Sequence, residues 1–164
     1  MQDSNELSTK LVEVLRRIDF DERYYSFYEK IRNRTTPSGL SKLDWEKAIS
    51  ETSLVFRYNS KERFFAAEKQ FGPCTIVFNI GFRHDEVELA LGVRTPNGWA
   101  GGPFTVLANS IGLSRDPNFS PMPPYPTLPF SNAEQLREII RFAMTLYGDA
   151  ERAVVSSKLC KQQK

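Results

Sequence analysis

The chain has 164 residues, of which 40% are hydrophobic, 26% charged and 12% aromatic. This balance is typical of one globular domain with a sizeable core, and it excludes a disordered, collagen-like or coiled-coil chain. The 22 basic and 20 acidic residues leave a net charge of only +2, which gives no reason to expect nucleic acid or a membrane surface as a partner. We therefore expect neither.

The sequence contains no run of about 18 apolar residues, so it predicts no transmembrane helix. Residues 1–10 are polar and lack the apolar stretch of a signal peptide. Cys74 and Cys160 are the only cysteines, and their spacing fits neither a metal motif nor a small disulfide-rich fold. The prediction is a cytoplasmic protein with two reduced thiols, and a single Cys74–Cys160 bridge is the alternative.

Residues 5–52 are predicted to form three helices. Apolar residues recur at helical spacing in two stripes, which are Leu7, Leu11, Val14, Leu15 and Ile18, and then Tyr24, Phe27, Tyr28 and Ile31. Residues 35–39 break the pattern. Ser41 and Asp44 then resemble a capping box that opens a short third helix.

Residues 54–108 are predicted to be rich in strands, and an antiparallel hairpin is their clearest feature. Two alternating runs fold about residues 83–86 so that Phe82 faces Val87. Apolar residues then face one another along the hairpin, as the pairs Ile80 and Leu89, Phe78 and Leu91, and Ile76 and Val93. The opposite face has small residues at its centre, which favours a solvent-facing or helix-covered surface, with a shallow binding platform as the alternative.

Further strands are predicted on both sides of this hairpin. A turn at residues 95–98 returns the chain through Trp99, and the segment 101–103 breaks or bulges that strand before it continues through Phe104, Val106 and Leu107. Two more strands are predicted at 54–58 and 64–69, although good helix formers leave 62–69 open between strand and helix. We expect four or five antiparallel strands.

The last part of the chain begins with a proline-rich segment, residues 115–130, which is predicted to cross the surface in an extended form. Ser131 and Glu134 then predict a capping box at the start of a long C-terminal helix, 131–156. The last eight residues, which include Lys158, Lys161 and Lys164, are expected to fray.

Together these elements predict one α+β domain over residues 1–164, with an antiparallel sheet and N-terminal helices. The long C-terminal helix is expected to pack on the sheet face that carries Ile76, Phe78, Ile80 and Phe82, because both elements must bury an apolar surface.

Residues suited to catalysis or metal binding are sparse. The only histidine, His84, lies in a predicted turn about 30 Å from Cys74, so the two cannot form a dyad. Three Cys and His residues are too few for a zinc site. Asp85, Glu86 and Glu88 lie close together but lack the spacing of a calcium-binding loop.

The only glycine-rich segment, residues 98–103, lacks the Gly-Lys-Ser/Thr of a P-loop, and no helix is predicted after it. A close packing contact or a bulge is the simpler interpretation of its glycines. We therefore expect no catalysis, no metal and no cofactor.

Four segments in this order, after a helical N-terminal part, resemble small bacterial immunity proteins: residues 78–81 (FNIG), 87–91 (VELAL), 101–104 (GGPF) and 125–132 (YPTLPFSN). The resemblance implies a non-enzymatic cytoplasmic inhibitor that binds and neutralises a cognate toxin. Inhibitors of nuclease toxins are often strongly acidic, so the slight positive charge argues against a nuclease target.

The residue types that dominate protein–protein contacts give a candidate surface. It combines Arg94, Trp99, Gly101 and Gly102 with Pro123, Pro124 and Tyr125. The plainer alternative is that Trp99 and Tyr125 pack beneath the proline-rich segment. A small-molecule site or carboxylate enzyme built on Asn79, Glu88 and Arg94 is the competing function.

Overall fold

Helices cover one face of a six-stranded antiparallel sheet in the computed structural model, which describes residues 4–161. The elements in chain order are α1 (Ser4–Arg16), α2 (Phe20–Ile31), α3 (Lys42–Ser50), β1 (Arg57–Asn59), β2 (Phe64–Phe71), β3 (Cys74–Arg83), β4 (Glu86–Thr95), β5 (Gly98–Pro103), α4 (Phe104–Arg115), β6 (Leu128–Pro129), α5 (Ala133–Ser156) and a 3₁₀ turn at Lys158–Cys160. The predicted α+β class and the three N-terminal helices are confirmed.

The β3–β4 hairpin has the predicted register throughout, from Phe82 opposite Val87 to Ile76 opposite Val93. Its turn is the two residues His84 and Asp85, and His84 adopts a left-handed backbone with φ 54°. The Asp85 carboxylate accepts hydrogen bonds from the backbone N–H and the hydroxyl of Ser38, and these bonds lower its pKa. The turn is thereby tied to the loop that precedes α3.

The strands follow one another in the sheet in the order β1-β2-β3-β4-β5, and β6 pairs with the first two residues of β4. The segment left open between strand and helix is strand β2, whose Ala67 lies opposite Phe78 of β3. The predicted strand at 54–58 is shorter and lies later, at Arg57–Asn59, and β6 adds a short sixth strand.

The core lies between the helices and the face that carries Ile76, Phe78, Ile80 and Phe82. Tyr147 of α5 stacks on Phe78 with ring centroids 4.4 Å apart, which confirms where the C-terminal helix packs. Trp45 of α3 stacks on Phe82 at 4.6 Å. Ser41 opens α3 as predicted, because its backbone N–H donates to the Asp44 carboxylate at 2.8 Å.

The prediction that the strand continues beyond the glycines is wrong, because helix α4 begins at Phe104. The residues that this helix buries are Phe104, Leu107, Ala108, Ile111 and Gly112, a helical spacing that the sequence already contained. Gly112 leaves room for the Phe119 ring, since a Cβ there would lie 2.4 Å from it. The expectation that no helix follows the glycine-rich segment is therefore also wrong.

The start of α5 is shifted by one residue from the predicted cap. The side chain of Asn132, not of Ser131, accepts a hydrogen bond from the backbone N–H of Gln135. The Ser131 backbone N–H donates to the Gln135 side chain at 2.7 Å. The prediction of Ser131 as the cap is therefore wrong by one residue, and asparagine is as good an N-cap as serine.

The preferred expectation of two reduced thiols is wrong, because Cys74 and Cys160 form a disulfide whose Cα atoms are 5.2 Å apart. Disulfides persist mainly in oxidising compartments, so the cysteines no longer argue for the cytoplasm. The predicted fraying is also wrong for residues 158–160, since Leu159 and Cys160 are buried in the 3₁₀ turn. Lys164 lies outside the described residues.

Candidate binding face

The sheet face turned away from the helices, called the open face below, carries the residues between the core positions. It consists of Arg57 and Asn59 on β1, Phe64, Ala66, Glu68 and Gln70 on β2, Thr75, Val77, Asn79 and Gly81 on β3, Glu88, Ala90, Gly92 and Arg94 on β4, and Trp99, Gly101 and Pro103 on β5. Of these only Gly92 is fully buried, whereas the apolar residues that alternate with them on β3 are fully buried. The open face is therefore a partly accessible surface of mixed polar and apolar residues, with small side chains near its centre.

Trp99 is the one large aromatic side chain that stands well exposed on the open face, with 51% of its surface accessible. Its indole ring lies over Gly92, where a Cβ would come within 3.1 Å of Nε1. A glycine at this position thus makes room for the ring on the strand. The alternative that Trp99 packs beneath the proline-rich segment is wrong, and Tyr125 is likewise 54% exposed.

Arg94 lies directly opposite Trp99 in the β4–β5 ladder. Its guanidinium Nη2 lies 3.7 Å from Oε1 of Glu68, across the intervening strand β3. Both side chains are more than half exposed, so the pair contributes little to stability. Glu68 was missed by the sequence analysis, because it falls in the segment that was open between strand and helix.

Gly101 is needed for the contact between β5 and β4. A Cβ at this position would lie 2.1 Å from the Leu91 carbonyl oxygen, and its φ of +135° also favours glycine. The ladder runs without interruption from Ala90–Pro103 to Thr95–Gly98, so the glycines give a close contact and no bulge. Trp99 therefore lies on a continuously paired edge strand.

Asn79 lies at the centre of the open face, between Ala66 on β2 and Ala90 on β4. Its side-chain Oδ1 is buried and has no hydrogen-bond partner. A buried polar atom without a partner lowers stability, and asparagine is disfavoured in strands. The requirements of the fold therefore do not explain why an asparagine occupies position 79.

The structure divides the surface predicted from the sequence into two separate parts. Arg94, Trp99 and Gly101 lie together on the open face, with Gly102 next to them on β5. Pro123 and Tyr125, with the exposed Pro124 between them, border a hollow that also includes Glu86, at the opposite end of β4. Eight residues of strand separate Glu86 from Arg94, about 26 Å at 3.3 Å per residue.

The competing site on Asn79, Glu88 and Arg94 has all three residues on the open face, but they do not converge. Asn79 lies opposite Ala90, and Arg94 lies four residues further along β4, about 13 Å away. Glu88 lies near Arg83 instead, with 4.0 Å between Oε1 and the guanidinium Nη1. This spacing does not surround one small ligand.

The carboxylates beside the β3–β4 turn also have separate partners. Ser38 donates to Asp85, and the Thr127 hydroxyl donates to Glu86 at 2.7 Å. Over residues 4–161, the structure shows no group of three Cys, His, Asp or Glu side chains placed to hold a metal ion. Over the same residues, it has no helix that is long and apolar enough to cross a membrane.

Comparison with known proteins found no matching family model, no matching curated protein and no matching solved structure.

Proposed function

We propose that the chain is a non-enzymatic protein-binding module that contacts its partner through the open face, and that the partner is a toxin that it neutralises. The observation that carries the binding proposal is the half-exposed Trp99, seated on Gly92 and opposite Arg94. The sequence resemblance to bacterial immunity proteins supplies the class of partner.

The physical case for binding rests on the kinds of side chain at this end of the open face. Tryptophan and arginine are the residue types most enriched among binding hot spots. The Trp99 ring rests on the strand over Gly92, so it loses little conformational freedom when a partner binds. Arg94 lies beside it in the ladder with its guanidinium exposed. Two small residues, Gly92 and Gly101, lie beside them, and such a surface suits a protein partner better than a small ligand, which needs a concave site.

The direct test is co-expression with the protein encoded by the neighbouring gene. The wild-type chain should relieve that protein's toxicity and co-purify with it as a complex. Trp99→Ala should weaken the complex by about 2 kcal/mol or more, roughly thirtyfold in Kd, measured by calorimetry on the purified pair.

Two variants serve as matched controls. Leu43→Ala removes another exposed hydrophobic side chain, on helix α3 and away from the open face, and Tyr125→Ala removes the exposed aromatic at the far end of β4. Both should bind as the wild type does. A Trp99→Ala variant that binds with wild-type affinity would contradict the open face as the contact surface. A neighbour that is neither bound nor neutralised would contradict the immunity function.

A further inference from the structure

Strand β5 is an edge strand whose outer side is unpaired. It lies at the end of the strand order, and over residues 4–161 only β4 pairs with it. An edge strand presents a row of N–H and C=O groups without partners, to which another strand can be added. The six residues of β5 are an ordinary strand length, so this edge is long enough to pair.

The hairpin turn shows which backbone groups of β5 face outward. A two-residue turn at 96–97 joins β4 to β5, so the pair that flanks it exchanges hydrogen bonds, and bonded and non-bonded pairs alternate from there. Ala100 and Gly102 therefore direct their N–H and C=O groups towards β4. Trp99 and Gly101 direct theirs away from the sheet, and within residues 4–161 no backbone hydrogen bond from another segment reaches them.

The side chains of β5 leave this edge accessible. The Trp99 ring lies over Gly92 on β4, so it leans away from the outer side of β5. Gly101 has no side chain, and a Cβ at Gly102 would meet no atom within 4 Å, so the described chain places nothing against that position. Glycine in a strand often marks a place where another backbone approaches closely.

The opposite edge of the sheet is protected in the ways that natural proteins use. Strand β1 has only three residues, Arg57–Asn59, and the exposed residues Lys61, Glu62 and Arg63 follow it. Short length and charged side chains both discourage the addition of a strand. Strand β5 has neither protection, because residues 95–114, which include β5 and nearly all of α4, contain no Asp, Glu, Lys or Arg.

This lack of charge indicates which partner fits the edge. A two-fold interface brings the same patch of two copies together, so a charged residue near its centre would meet the same charge. An uncharged patch avoids that repulsion, and interface centres are depleted of charged residues. Three large hydrophobic residues of the uncharged stretch are also exposed, namely Trp99, Val106 and Leu113. The surface therefore suits a second copy of this chain.

One symmetric register bonds every outward group of β5. Opposite Pro103 of the second copy, Trp99 would find no N–H, and the Pro103 C=O belongs to α4 as its N-cap. Opposite Trp99 of the second copy, Gly101 would face Asn97, whose N–H already donates to the Thr95 hydroxyl at 3.2 Å. Only with Trp99 opposite Gly101 do the N–H and C=O groups of both residues find partners in both copies.

From these observations we propose that the chain forms a two-fold dimer in which β5 pairs antiparallel with β5 of a second copy, with Trp99 opposite Gly101. The two sheets then join into one, with five strands along the path from each copy, a size that open sheets reach. The proposal goes beyond the proposed function, because it concerns association of the chain with itself through backbone groups. The open face stays uncovered in this dimer, since the second copy is added beside it.

The first test is the mass of the purified protein alone, followed by sedimentation equilibrium. The mass should rise from one chain towards two between about 10 μM and about 1 mM, because the interface is small. Hydrogen exchange at single amides, measured by NMR at both concentrations, locates the interface. The amides of Trp99 and Gly101 should exchange more slowly at the higher concentration, whereas those of Ala100 and Gly102 should be slow at both, since they donate to β4.

Two variants at one position separate the backbone from the side chain. Trp99→Pro removes an outward N–H that the fold does not use, and proline is tolerated on an edge strand at such a position. It should therefore keep the fold and raise the Kd of the dimer at least about tenfold. Trp99→Ala, the matched control, removes the same ring and keeps the N–H, so its Kd should stay within about threefold of the wild type.

Three results would overturn the proposal: a monomer at about 1 mM, a dimer without added protection at Trp99 and Gly101, or a folded Trp99→Pro variant that dimerises like the wild type. If Trp99→Pro does not fold, the exchange of the wild-type amides still decides. If the chain stays monomeric but these amides become protected in the complex with the toxin, the edge pairs with a toxin strand and the dimer is wrong. Trp99→Ala should weaken the toxin complex and keep the dimer, so the two proposals fail independently.

Discussion

Phe78 and Asn79 follow one another on strand β3 and belong to opposite faces of the same sheet. Phe78 has no accessible surface, and its ring stacks on Tyr147 and lies 5.9 Å from Phe104. Asn79 lies between two alanines on the open face and leaves its Oδ1 without a partner. The same strand therefore carries Phe78, which lies at the centre of the core, and Asn79, which makes no contact that stabilises the core.

This difference separates the part of the sequence that specifies the fold from the part that is free for recognition. The sheet face that the helices cover, called the covered face below, carries Ile76, Phe78, Ile80 and Phe82. It holds the aromatic contacts between helices and sheet, the disulfide, and the apolar pairs that set the strand register. The open face holds Trp99, Arg94 and Glu68, each of which is more than half exposed. Substitutions on the two faces should accordingly affect different properties of the protein.

The largest contrast is expected between Phe78→Ala and Asn79→Ala. Phe78→Ala should lower the free energy of unfolding by about 3–5 kcal/mol, because it removes buried contacts and leaves a cavity. Asn79→Ala should change it by less than about 1 kcal/mol, since it removes a buried acceptor that has no partner. Urea unfolding of both variants measures this, and equal losses would contradict the separation of the two faces.

The disulfide should contribute nearly as much as a large core side chain. Cys74 and Cys160 are 86 residues apart, so the bond strongly restricts the unfolded chain. The Cys74→Ala/Cys160→Ala variant should be less stable by about 2–5 kcal/mol than the oxidised protein. Wild-type protein in a reducing agent should lose stability to a similar extent, whereas the double variant should not respond. Two free thiols in protein purified without a reducing agent would contradict the bond.

A smaller effect is expected from glycines on the open face itself. Gly101→Ala should cost about 1–3 kcal/mol, because its backbone has φ +135° and the new methyl group would meet the Leu91 carbonyl. Gly81→Ala is the matched control, since a Cβ there has only ordinary contacts at 3.8 Å or more. That control should be neutral or stabilising by up to about 1 kcal/mol in thermal unfolding. A Gly101→Ala variant as stable as the control would show that the β4–β5 contact is not required.

The sequence predicted the covered face well because alternation on two adjacent strands has only one register that buries every apolar residue. Phe82 had to face Val87, and each later pair followed from that. The helix α4 was missed because a glycine-glycine-proline segment suggested an interrupted strand, although Phe104, Leu107, Ala108 and Ile111 already had helical spacing. Local sequence patterns were sufficient to predict strands and their register where long alternating runs existed. They were insufficient to predict the secondary structure where a strand passes directly into a helix.

The candidate site was predicted only in part, because local sequence patterns place only residues that lie close together along the chain. Arg94 and Trp99 were adjacent once the β4–β5 turn was recognised, but the position of Tyr125 depended on the path of α4 and the segment after it. Sequence distance gave no information about that path. Neither the ion pair of Arg94 with Glu68 nor the position of Arg34 against Glu138 follows from local pattern, because each pair joins distant parts of the chain.

The smallest effect on stability is expected at the ion pair between Glu68 and Arg94, and it tests the separation of the two faces most directly. Both groups are exposed and 3.7 Å apart, so a double-mutant cycle with Glu68→Gln and Arg94→Gln should give a coupling of about 0.2–1 kcal/mol in urea unfolding. That coupling should fall as salt is added, because exposed charges are screened. Arg94→Gln should nevertheless weaken the complex with the protein partner by more than it weakens the fold, whereas Lys42→Gln, which removes a cation on α3, should not weaken the complex. A stability loss at Arg94 comparable to that at Phe78 would mean that the open face also holds the sheet together, and its side chains would then not be free for recognition.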